Sequence, residues 1–563
     1  METKGEIIQK LNLTDILLLC FVIVGVLNLY VLHSDSINKY SLCQWMILAT
    51  SYIIIRRSHR KKWILCFIFL IGSIETFLVI LQSFGWLVNN HTQFHITGSF
   101  GNPAPLGGVL AITISTVYGF YSLQPSKRWF KSFVLGMLIL LAIACFLSDS
   151  RASWVAALTG CLYIWYVRKG KRHLRIYVYA TCLLTAFVLA LGSYYYKKDS
   201  ADGRLLIWRV SLSMIADAPL TGHGIGTFEK KYMYYQAKYF EENTDSKFCI
   251  LADNIIYPYN ELLHIGVELG IPGMIISLLF SGIIFRHSDS SKDNIVYRGA
   301  FLSLLLFSLF SYTSHVFLLL LLGALLLGGI TDKKVLLSFR CRKYIFLWWG
   351  ICILTIYAAC QKYYEYTLLE KHLKKIYSSH SSNTMQKSEY YLKAHWNELQ
   401  CFPRFLDIYA QYFYKHHSAA ESLPVLQQTA TIIPTSEIFC DLGDLYVKLK
   451  KVEKAVECYQ IASNMIPCRI IPKYKLFQLY RSTKDFTKMQ QTGMDILSTL
   501  VKVENTQTLL IKQEVRDELT HLLKSDLSMQ KRTFHQTKKP SAFKRFSHLA
   551  IAYPSESRLK ANL

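Results

Sequence analysis

The sequence predicts an all-α protein: a polytopic transmembrane helical bundle of about 11–12 spans, followed by an α-solenoid of tetratricopeptide-like repeats. Two observations predict this fold. Before residue 361, apolar residues crowd into segments that, as helices, can cross a hydrocarbon core of about 30 Å. After it, apolar segments shorten, charged residues become frequent, and apolar residues recur with a helical period. We therefore divide the chain into a membrane domain (1–361), a repeat domain (362–527) and a basic, flexible tail (528–563).

Eleven apolar segments of the membrane domain have the length, or nearly the length, of a single span. The first lacks a small-residue cleavage site and is long for the core of a signal peptide, so we interpret it as a retained span. Only Thr313 and Ser314 separate the ninth segment from the tenth, which leaves the count open by one. The segments are 13–33, 41–55, 63–84, 105–122, 132–148, 153–167, 174–194, 262–285, 297–312, 315–330 and 345–360.

The net charge of +25 is distributed as in a membrane protein, which argues against a nucleic-acid partner. With a cytoplasmic N-terminus, the cytoplasmic loops hold 21 Lys and Arg residues. The short loops on the other side hold only Lys39 and Arg151. This contrast places the long loop 194–261 and the whole repeat domain outside the cytoplasm. The 14 Cys form no Cys-x-x-Cys pair or regular framework outside the spans, so we predict no metal site and leave disulfides open.

The repeat domain has its clearest signal around Gly443 and Tyr459. Small and aromatic residues there follow the spacing of a 34-residue tetratricopeptide unit, in which two antiparallel helices interlock. One such unit cannot bury its own apolar face, so neighbours are required. Degenerate neighbours are visible at 405–434 and 474–497. The positions that carry the signal are Leu442, Gly443, Tyr446, Ala455, Tyr459, Ala462 and Pro467.

The long loop 194–261 is predicted to contain an amphipathic helix over residues 203–216. Its apolar residues are Leu205, Trp208, Leu212 and Ile215, and we expect the helix to lie at the membrane interface with the tryptophan as an anchor.

Two arginines are candidate ligands for a phosphate group. Arg151 lies in the tight turn between the fifth and sixth spans, and Arg204 lies near the start of the predicted interfacial helix. A guanidinium group can bind phosphate through two parallel hydrogen bonds. The alternative is that Arg151 pairs with Asp149 in its turn, while Arg204 extends to lipid headgroups. The nearby glycines 222, 224 and 226 follow no predicted strand, so they favour a turn over a nucleotide site.

Polar residues also line the start of the eighth span. If a helix begins near residue 258, Glu261, His264 and Glu268 lie on one face, at i, i+3 and i+7. A carboxylate beside an imidazole at a membrane surface is a plausible general base. The alternatives are that Asn260 caps the helix and that a backbone carbonyl satisfies His264. A metal site on Glu261 and His264 lacks two further ligands at suitable spacing.

Several motifs, in a fixed order, resemble those of the O-antigen ligase and O-antigen polymerase superfamily, which includes the bacterial protein O-oligosaccharyltransferases. They extend over roughly residues 90–330, and the helical repeats are similar to those appended to some members. The motifs are Gly98-Ser-Phe-Gly-Asn-Pro103, Ser150-Arg-Ala-Ser-Trp154, Gly203-Arg-Leu-Leu-Ile-Trp208, Pro219-Leu-Thr-Gly-His-Gly-Ile-Gly-Thr-Phe228 and Tyr259-Asn-Glu-x-Leu263, followed by Glu268-Leu-Gly270 and Gly273.

The resemblance implies a multi-pass enzyme of the bacterial inner membrane, with a cytoplasmic N-terminus and a periplasmic C-terminal domain. It implies transfer of a glycan from undecaprenyl diphosphate to a hydroxyl of lipid A core or of protein Ser or Thr, without metal, nucleotide or other cofactor. Arg151 and Arg204 match the family's arginines, so they would contact the diphosphate. Asn102, His223 and Asn260 would belong to the same pocket. The repeats would offer a surface for protein docking.

One position departs from the family pattern. Many members have His before the Asn of the loop motif, and this chain has Tyr259. Tyrosine is a poor base near neutral pH. Three explanations remain open: Glu261 or His264 activates the acceptor, a good leaving group makes a base dispensable, or the chain has lost activity. We favour Glu261.

Two other functions remain possible at this stage. A polymerase would extend the glycan on its own carrier lipid, and the extended surface of the repeats favours a larger acceptor than that. A membrane-anchored repeat scaffold or a transporter would perform no transfer. The spans show no internal duplication, and Glu75 is the main charge within them, which argues against a transporter.

Overall fold

The structure is a computed structural model. It describes residues 7–32, 39–88, 94–123, 127–169, 198–286, 291–330, 335–341, 345–378, 382–399 and 402–536. The apolar segment predicted at 174–194 and most of the predicted tail lie outside the described residues.

The described chain is helical almost throughout, as the sequence predicts. The helices of the membrane domain are α1 (Leu13–Leu32), α2 (Lys39–Arg57), α3 (Lys62–Ser83), α4 (Pro103–Leu123), α5 (Arg128–Leu147), α6 (Arg151–Lys169), α7 (Lys198–Asp217), α8 (Phe228–Glu242), α9 (Glu261–Arg286), α10 (Lys292–Ser308), α11 (Phe317–Gly329) and α12 (Ile345–Ser378). Those that follow are α13 (Ser382–Ala394), α14 (Trp396–Leu399), α15 (Pro403–His416), α16 (Ala419–Ile432), α17 (Ser436–Lys448), α18 (Val452–Met465), α19 (Ile470–Ser482), α20 (Phe486–Ser498) and α21 (Thr506–Gln536).

Two short strands, β1 (Ile7–Asn12) and β2 (Val335–Cys341), form an antiparallel pair that the sequence analysis did not predict. Their backbones bond across more than three hundred residues of sequence, since Ile7 faces Cys341. The pairing puts the segment before α1 and the segment after α11 on the same side of the helices. The predicted topology also places both on one side, the cytoplasmic one. The orientation itself stays a prediction.

Four helices among the described residues are long and apolar enough to cross a membrane: α3, α4, α5 and the part of α9 from Glu261 to Phe285. Two shorter apolar helices are Leu13–Asn28 and α11. Large apolar side chains of α3 and α5 face outward, among them Phe77 at 59% and Ile139 at 53% exposure. Such surfaces are stable against lipid rather than water. The chain is therefore a multi-pass membrane protein, and the total of eleven spans stays a prediction.

Helix α4 forms the centre of this bundle and is buried along most of its length, between α3, α5, α6 and α10. Glycines in α4 allow the neighbouring helices to approach its backbone closely. A Cβ atom on Gly107 would lie 2.5 Å from Ser153 Oγ and 2.6 Å from Ser150 Cβ, so the turn before α6 packs directly on α4. This contact fixes the position of Arg151, the first residue of α6.

Glu75, a buried carboxylate of α3, holds the loop that precedes α4. It accepts hydrogen bonds from the backbone N–H of Ser99, at 3.0 Å, and from the hydroxyl of Ser99. Gln82 completes the anchor, since its Nε2 donates to the carbonyl of Gly98 at 2.8 Å. The loop before α4 is thus tied to α3.

The glycine-rich loop at 219–226 packs on a kink in α9. Gly270 has a φ of 70°, and Pro272 follows it, so the helix is interrupted there. The loop supplies hydrogen-bond partners at the interruption: the carbonyl of Pro219 accepts from Ile271 N–H at 2.7 Å, and Gly224 N–H donates to the carbonyl of Glu268 at 3.0 Å. The glycines therefore form a packing turn.

Helix α7 is longer at both ends than the interfacial helix predicted over residues 203–216. It buries Leu206, Val210 and Met214, whereas Leu205 and Leu212 of the predicted apolar stripe are exposed. Trp208 donates from Nε1 to the carbonyl of Pro258 at 3.1 Å, and its role as an interfacial anchor stays a prediction. This bond joins α7 to the segment that precedes α9.

The contacts divide the chain into two compact units, residues 1–467 and 468–563. In the first, α17 and α18 form the predicted helical hairpin: a Cβ on Gly443 would lie 2.3 Å from the ring of Tyr459, whose hydroxyl donates to Asp444 at 2.6 Å. Helix α12 continues through residue 361, the predicted domain boundary.

The second unit is described over residues 468–536 and contains α19, α20 and α21. Gly493 of α20 lets Phe477 of α19 and Leu519 of α21 approach its backbone closely. An α-solenoid stays a prediction, as do the tetratricopeptide repeats.

Within the first unit, helices α17 and α18 are attached to α8 and to the segment that follows it. Gln236 Nε2 donates to the carbonyl of Met465 at 2.7 Å, and the Tyr234 ring packs edge-on against Phe439. Asn254 Nδ2 donates to Glu437 Oε2 at 2.7 Å. The helical hairpins therefore lie directly beside the segment that connects α8 to α9.

Candidate active site

Arg151 and Arg204, which come from different segments, lie close together. Arg151 Nη2 donates to the hydroxyl of Ser200 at 3.3 Å, and Ser200 lies one helical turn before Arg204 on α7. Burial and the charge of Arg151 both lower the pKa of Arg204. The structure thus brings together the two residues predicted to contact a diphosphate.

The groups that hold Arg204 carry no negative charge, so they do not neutralise its guanidinium. Its Nη1 donates to the carbonyl of Phe310 at 3.0 Å, and its guanidinium carbon lies 5.3 Å from the centre of the Tyr259 ring. Among the described residues, no carboxylate lies within salt-bridge distance of it. A half-buried cation of this kind favours an anionic ligand.

Tyr259 adopts a left-handed backbone conformation, with φ 52°, which is uncommon for a residue with a side chain. This conformation accompanies the packing of its ring below Arg204. Burial raises its pKa, so the phenol stays protonated at neutral pH. Tyr259, which takes the place of the family's usual histidine, therefore lies at the site as a neutral ring.

Three more rings extend the wall that Tyr259 begins. Tyr257 stacks on Tyr312, with ring centres 4.4 Å apart, and the Tyr259 ring meets Tyr312 edge-on at 5.6 Å. The ring of His315 lies 4.5 Å from that of Tyr257. The aromatic wall, defined as Tyr257, Tyr259, Tyr312 and His315, therefore runs without a break from Arg204 to the start of α9.

Glu261, His264 and Glu268 form one group on α9, as their spacing predicts. His264 Nδ1 lies 3.3 Å from Glu261 Oε2, and its Nε2 lies 3.2 Å from Glu268 Oε1. His264 is therefore satisfied by two carboxylates, and the alternative of a backbone carbonyl partner is wrong. Asn260 is the predicted cap, since its Oδ1 accepts from the N–H groups of Leu262 and Leu263.

Ser314 and His315 belong to the same group, and the sequence analysis missed them. Glu261 Oε1 accepts from Ser314 N–H at 2.8 Å and from its hydroxyl at 2.9 Å. Ser314 Oγ lies 3.0 Å from His315 Nδ1 and 3.2 Å from His264 Nδ1. Their presence could have been inferred from the polar residues Thr313 and Ser314, which separate two apolar segments and which above bear only on the number of spans.

Glu268 connects the group to the glycine-rich loop, because its Oε1 also accepts from Gly226 N–H at 2.7 Å. The other two predicted pocket residues, His223 and Asn102, have hydrogen-bond partners of their own, and their place in the pocket stays a prediction. His223 Nε2 bonds the carbonyl of Met214 at 2.8 Å, and Asn102 Oδ1 accepts from Ala104 N–H at the start of α4. Within the described part of the chain, neither contacts the carboxylate–histidine group.

The donor atoms of Glu261, His264 and His315 all lie within 4.8 Å of one another, a separation that a cation could share. Hydrogen bonds already account for this arrangement, because His264 bonds a carboxylate at each ring nitrogen and Ser314 links Glu261 to His315. We assign no cation to the group, and the absence of a metal site stays a prediction.

Residues 136–278 match the family model described as O-antigen ligase. The matched range includes Arg151, Arg204, Glu261 and His264, whereas Ser314 and His315 lie beyond it. A comparison with curated proteins found no match. The match over residues 136–278 supports a relationship of this part of the chain to the O-antigen ligase superfamily, and it indicates a membrane glycosyltransferase in general terms.

Proposed function

We propose that this protein is a ligase-type transferase that moves an assembled glycan from undecaprenyl diphosphate to a hydroxyl of lipid A core or of protein Ser or Thr. The reaction takes place at the periplasmic face of the bacterial inner membrane. The observation that carries the proposal is the adjacency of Arg151 and Arg204, because the family match alone does not identify a substrate.

Two neighbouring guanidinium groups repel each other, and partial burial of Arg204 strengthens that repulsion. A diphosphate offsets the repulsion, since its oxygens accept parallel N–H bonds from both groups. The Tyr259 ring beneath Arg204 fixes the guanidinium plane from one side. The pair is thus better suited to an anion with several oxygens than to a single lipid headgroup charge.

The same pair explains how transfer is accelerated. When the bond between the sugar's anomeric carbon and the diphosphate breaks, the leaving oxygen gains negative charge. Fixed guanidinium groups stabilise that charge more strongly in the transition state than in the bound donor. The chain's own residues then supply both binding and leaving-group stabilisation.

The attached helical hairpins support a large acceptor. Tyr234 and Gln236 tie residues 430–465 to α8, whose first turn packs on the site through Phe228 and His264. A protein or a glycolipid acceptor that docks on these helices would meet the segment that carries the site. A polymerase would need no such surface, and its product would differ, because the glycan chain would lengthen on the carrier lipid.

The proposal is tested by glycan profiles of cells that carry Arg151→Ala together with Arg204→Ala. We expect loss of acceptor-linked glycan, accumulation of the lipid-linked donor and normal membrane insertion. Arg209→Ala is the matched control, because Arg209 is exposed on the same helix and faces Tyr239 instead. Unchanged glycan transfer in the double variant would favour a scaffold, and shortened glycan chains would favour a polymerase.

A further inference from the structure

We propose that His315 takes the proton of the acceptor hydroxyl, and that Ser314 and Glu261 hold its ring in the tautomer able to do so. This inference rests on the proposed glycosyl transfer and names the group that replaces the histidine missing at Tyr259. His315 lies outside the matched family range, and it reaches the site only through the fold.

Glu261 and His264 are poorly placed to contact an acceptor themselves. Both oxygens of Glu261 are engaged, Oε1 by Ser314 and Oε2 by His264. Both ring nitrogens of His264 face carboxylates, and the residue is 9% exposed. An incoming hydroxyl would have to displace a carboxylate to reach a ring nitrogen of His264, and it would compete with three donors already bound to Glu261.

The hydrogen bonds also determine where the protons lie. Ionised carboxylates only accept hydrogen bonds, so Ser314 must donate its single hydroxyl proton to Glu261 Oε1. Ser314 Oγ then accepts from His315 Nδ1, at 3.0 Å. A neutral imidazole with its proton on Nδ1 carries a lone pair on Nε2. That nitrogen is the one that can accept a proton from a substrate.

His315 combines accessibility with a fixed position. Its side chain is exposed, unlike that of His264. One neighbour is the Tyr257 ring at 4.5 Å, and another is the His264 ring, nearly parallel at 5.2 Å. Desolvation and the charge of protonated His264 lower the pKa of His315 to about 4, which keeps the ring neutral and makes it a weak base. The ring is therefore neutral under ordinary conditions.

The aromatic wall joins this base to the diphosphate site. Tyr259 contacts Arg204 on one side and Tyr312 on the other, while Tyr257 contacts both Tyr312 and His315. An acceptor that lies along these rings has its hydroxyl near His315 and faces a sugar whose diphosphate is held by the arginines. Sugars and flat aromatic faces pack well against each other, so the wall suits a glycan.

The step balances without any other reactant. The acceptor oxygen forms a bond to the anomeric carbon as its proton passes to His315 Nε2. The bond from that carbon to the diphosphate oxygen breaks, and its electron pair leaves with the diphosphate. His315 becomes an imidazolium whose charge Glu261 offsets only in part, and because the lowered pKa disfavours the charged ring, the proton is then released to water.

The test compares His315→Gln with the wild-type protein, purified in detergent, in two assays. Binding uses the undecaprenyl-diphosphate-linked glycan extracted from the same cells, and transfer uses membranes of a strain that lacks the protein as the acceptor. We expect transfer to fall by about 10²- to 10⁴-fold, mainly in kcat, with donor binding unchanged. Ser314→Ala keeps His315 but removes the hydroxyl that accepts from its Nδ1. We therefore expect its transfer rate to fall by a smaller factor than that of His315→Gln. His95→Gln, an exposed histidine outside the site, is the matched control.

The outcomes separate the two proposals. Wild-type transfer by His315→Gln, with loss of transfer in Arg204→Ala, would overturn the inference and leave the proposed function intact. Failure of the wild-type protein to bind or transfer the extracted donor would instead reject the function. A bound divalent cation that is present in the wild type and lost in His315→Gln would assign the residue to a metal site and overturn its role as a base.

Discussion

A single carboxylate oxygen, Oε1 of Glu261, accepts both the backbone N–H and the hydroxyl of Ser314, at 2.8 and 2.9 Å. The two residues are 53 positions apart, and the contact ties the first residue of α9 to the turn before α11. The catalytic assignment depends on this contact, because it places His315 beside His264.

The first prediction concerns the strength of that contact. Glu261→Gln keeps the size of the side chain but removes the charge that two donors and His264 share. Because hydrogen bonds to charged groups contribute about 1.5–3 kcal/mol, we expect a comparable loss of stability. Thermal unfolding in detergent measures the change, with exposed Glu241→Gln as the control. Equal melting temperatures would show that the contact is not formed.

A second prediction concerns the kink in α9. At Gly270, φ is 70°, and a Cβ atom would lie 2.7 Å from the carbonyl oxygen of Pro219. Gly270→Ala should therefore cost about 1–3 kcal/mol and displace the loop that bonds Glu268. Gly282→Ala is the matched control, because Gly282 lies on the same helix with open space around its Cβ position. Equal melting temperatures for the two variants would contradict the close contact between Gly270 and the carbonyl of Pro219.

The attachment of the helical hairpins gives a third prediction. Gln236 Nε2 donates to the carbonyls of both Asp253 and Met465, so Gln236→Ala removes one buried and one part-buried hydrogen bond. We expect a local loss of about 1–3 kcal/mol and faster proteolysis near residues 465–470, with the membrane helices intact. Lys238→Ala, at an exposed position of α8, should leave the cleavage rate unchanged. A cleavage rate in Gln236→Ala equal to that of wild type would contradict the attachment.

Much of the architecture follows from local sequence signals. Helical periodicity and apolar length predicted the helices, and Asn260 was recognised as a possible cap from its type and position. The spacing of Gly443 and Tyr459 predicted their contact, because small and aromatic residues at that spacing interlock.

What the sequence could not predict depends on contacts between distant segments. Nothing local to Ser314 or His315 indicates a partner 50 or more residues away. The pairing of β1 with β2 is equally non-local. Motif order also did not predict the partners of Asn102 and His223, which are the backbone N–H of Ala104 and the carbonyl of Met214.

A fourth prediction concerns pH. Burial raises the pKa of Glu229 from 4.5 to about 7, and Lys230 offsets only part of that effect. The folded state therefore binds this proton more tightly than the unfolded state, so stability falls as pH rises from about 4.5 through 7. Glu229→Gln should be more stable than wild type at pH 8, by about 1–3 kcal/mol, and no more stable at pH 4. Melting temperatures across this range, with exposed Glu242→Gln as control, measure the difference.

The central claim is that Arg151 and Arg204 bind one diphosphate together. It is tested most directly by a double-mutant cycle on the binding of undecaprenyl diphosphate to purified Arg151→Ala, Arg204→Ala and the combined variant. We predict that each single change weakens binding at least about tenfold, and that the combined loss differs from the sum of the single losses, because the two groups share a ligand. Unchanged binding in either single variant, or equal weakening by Arg209→Ala, would contradict the account.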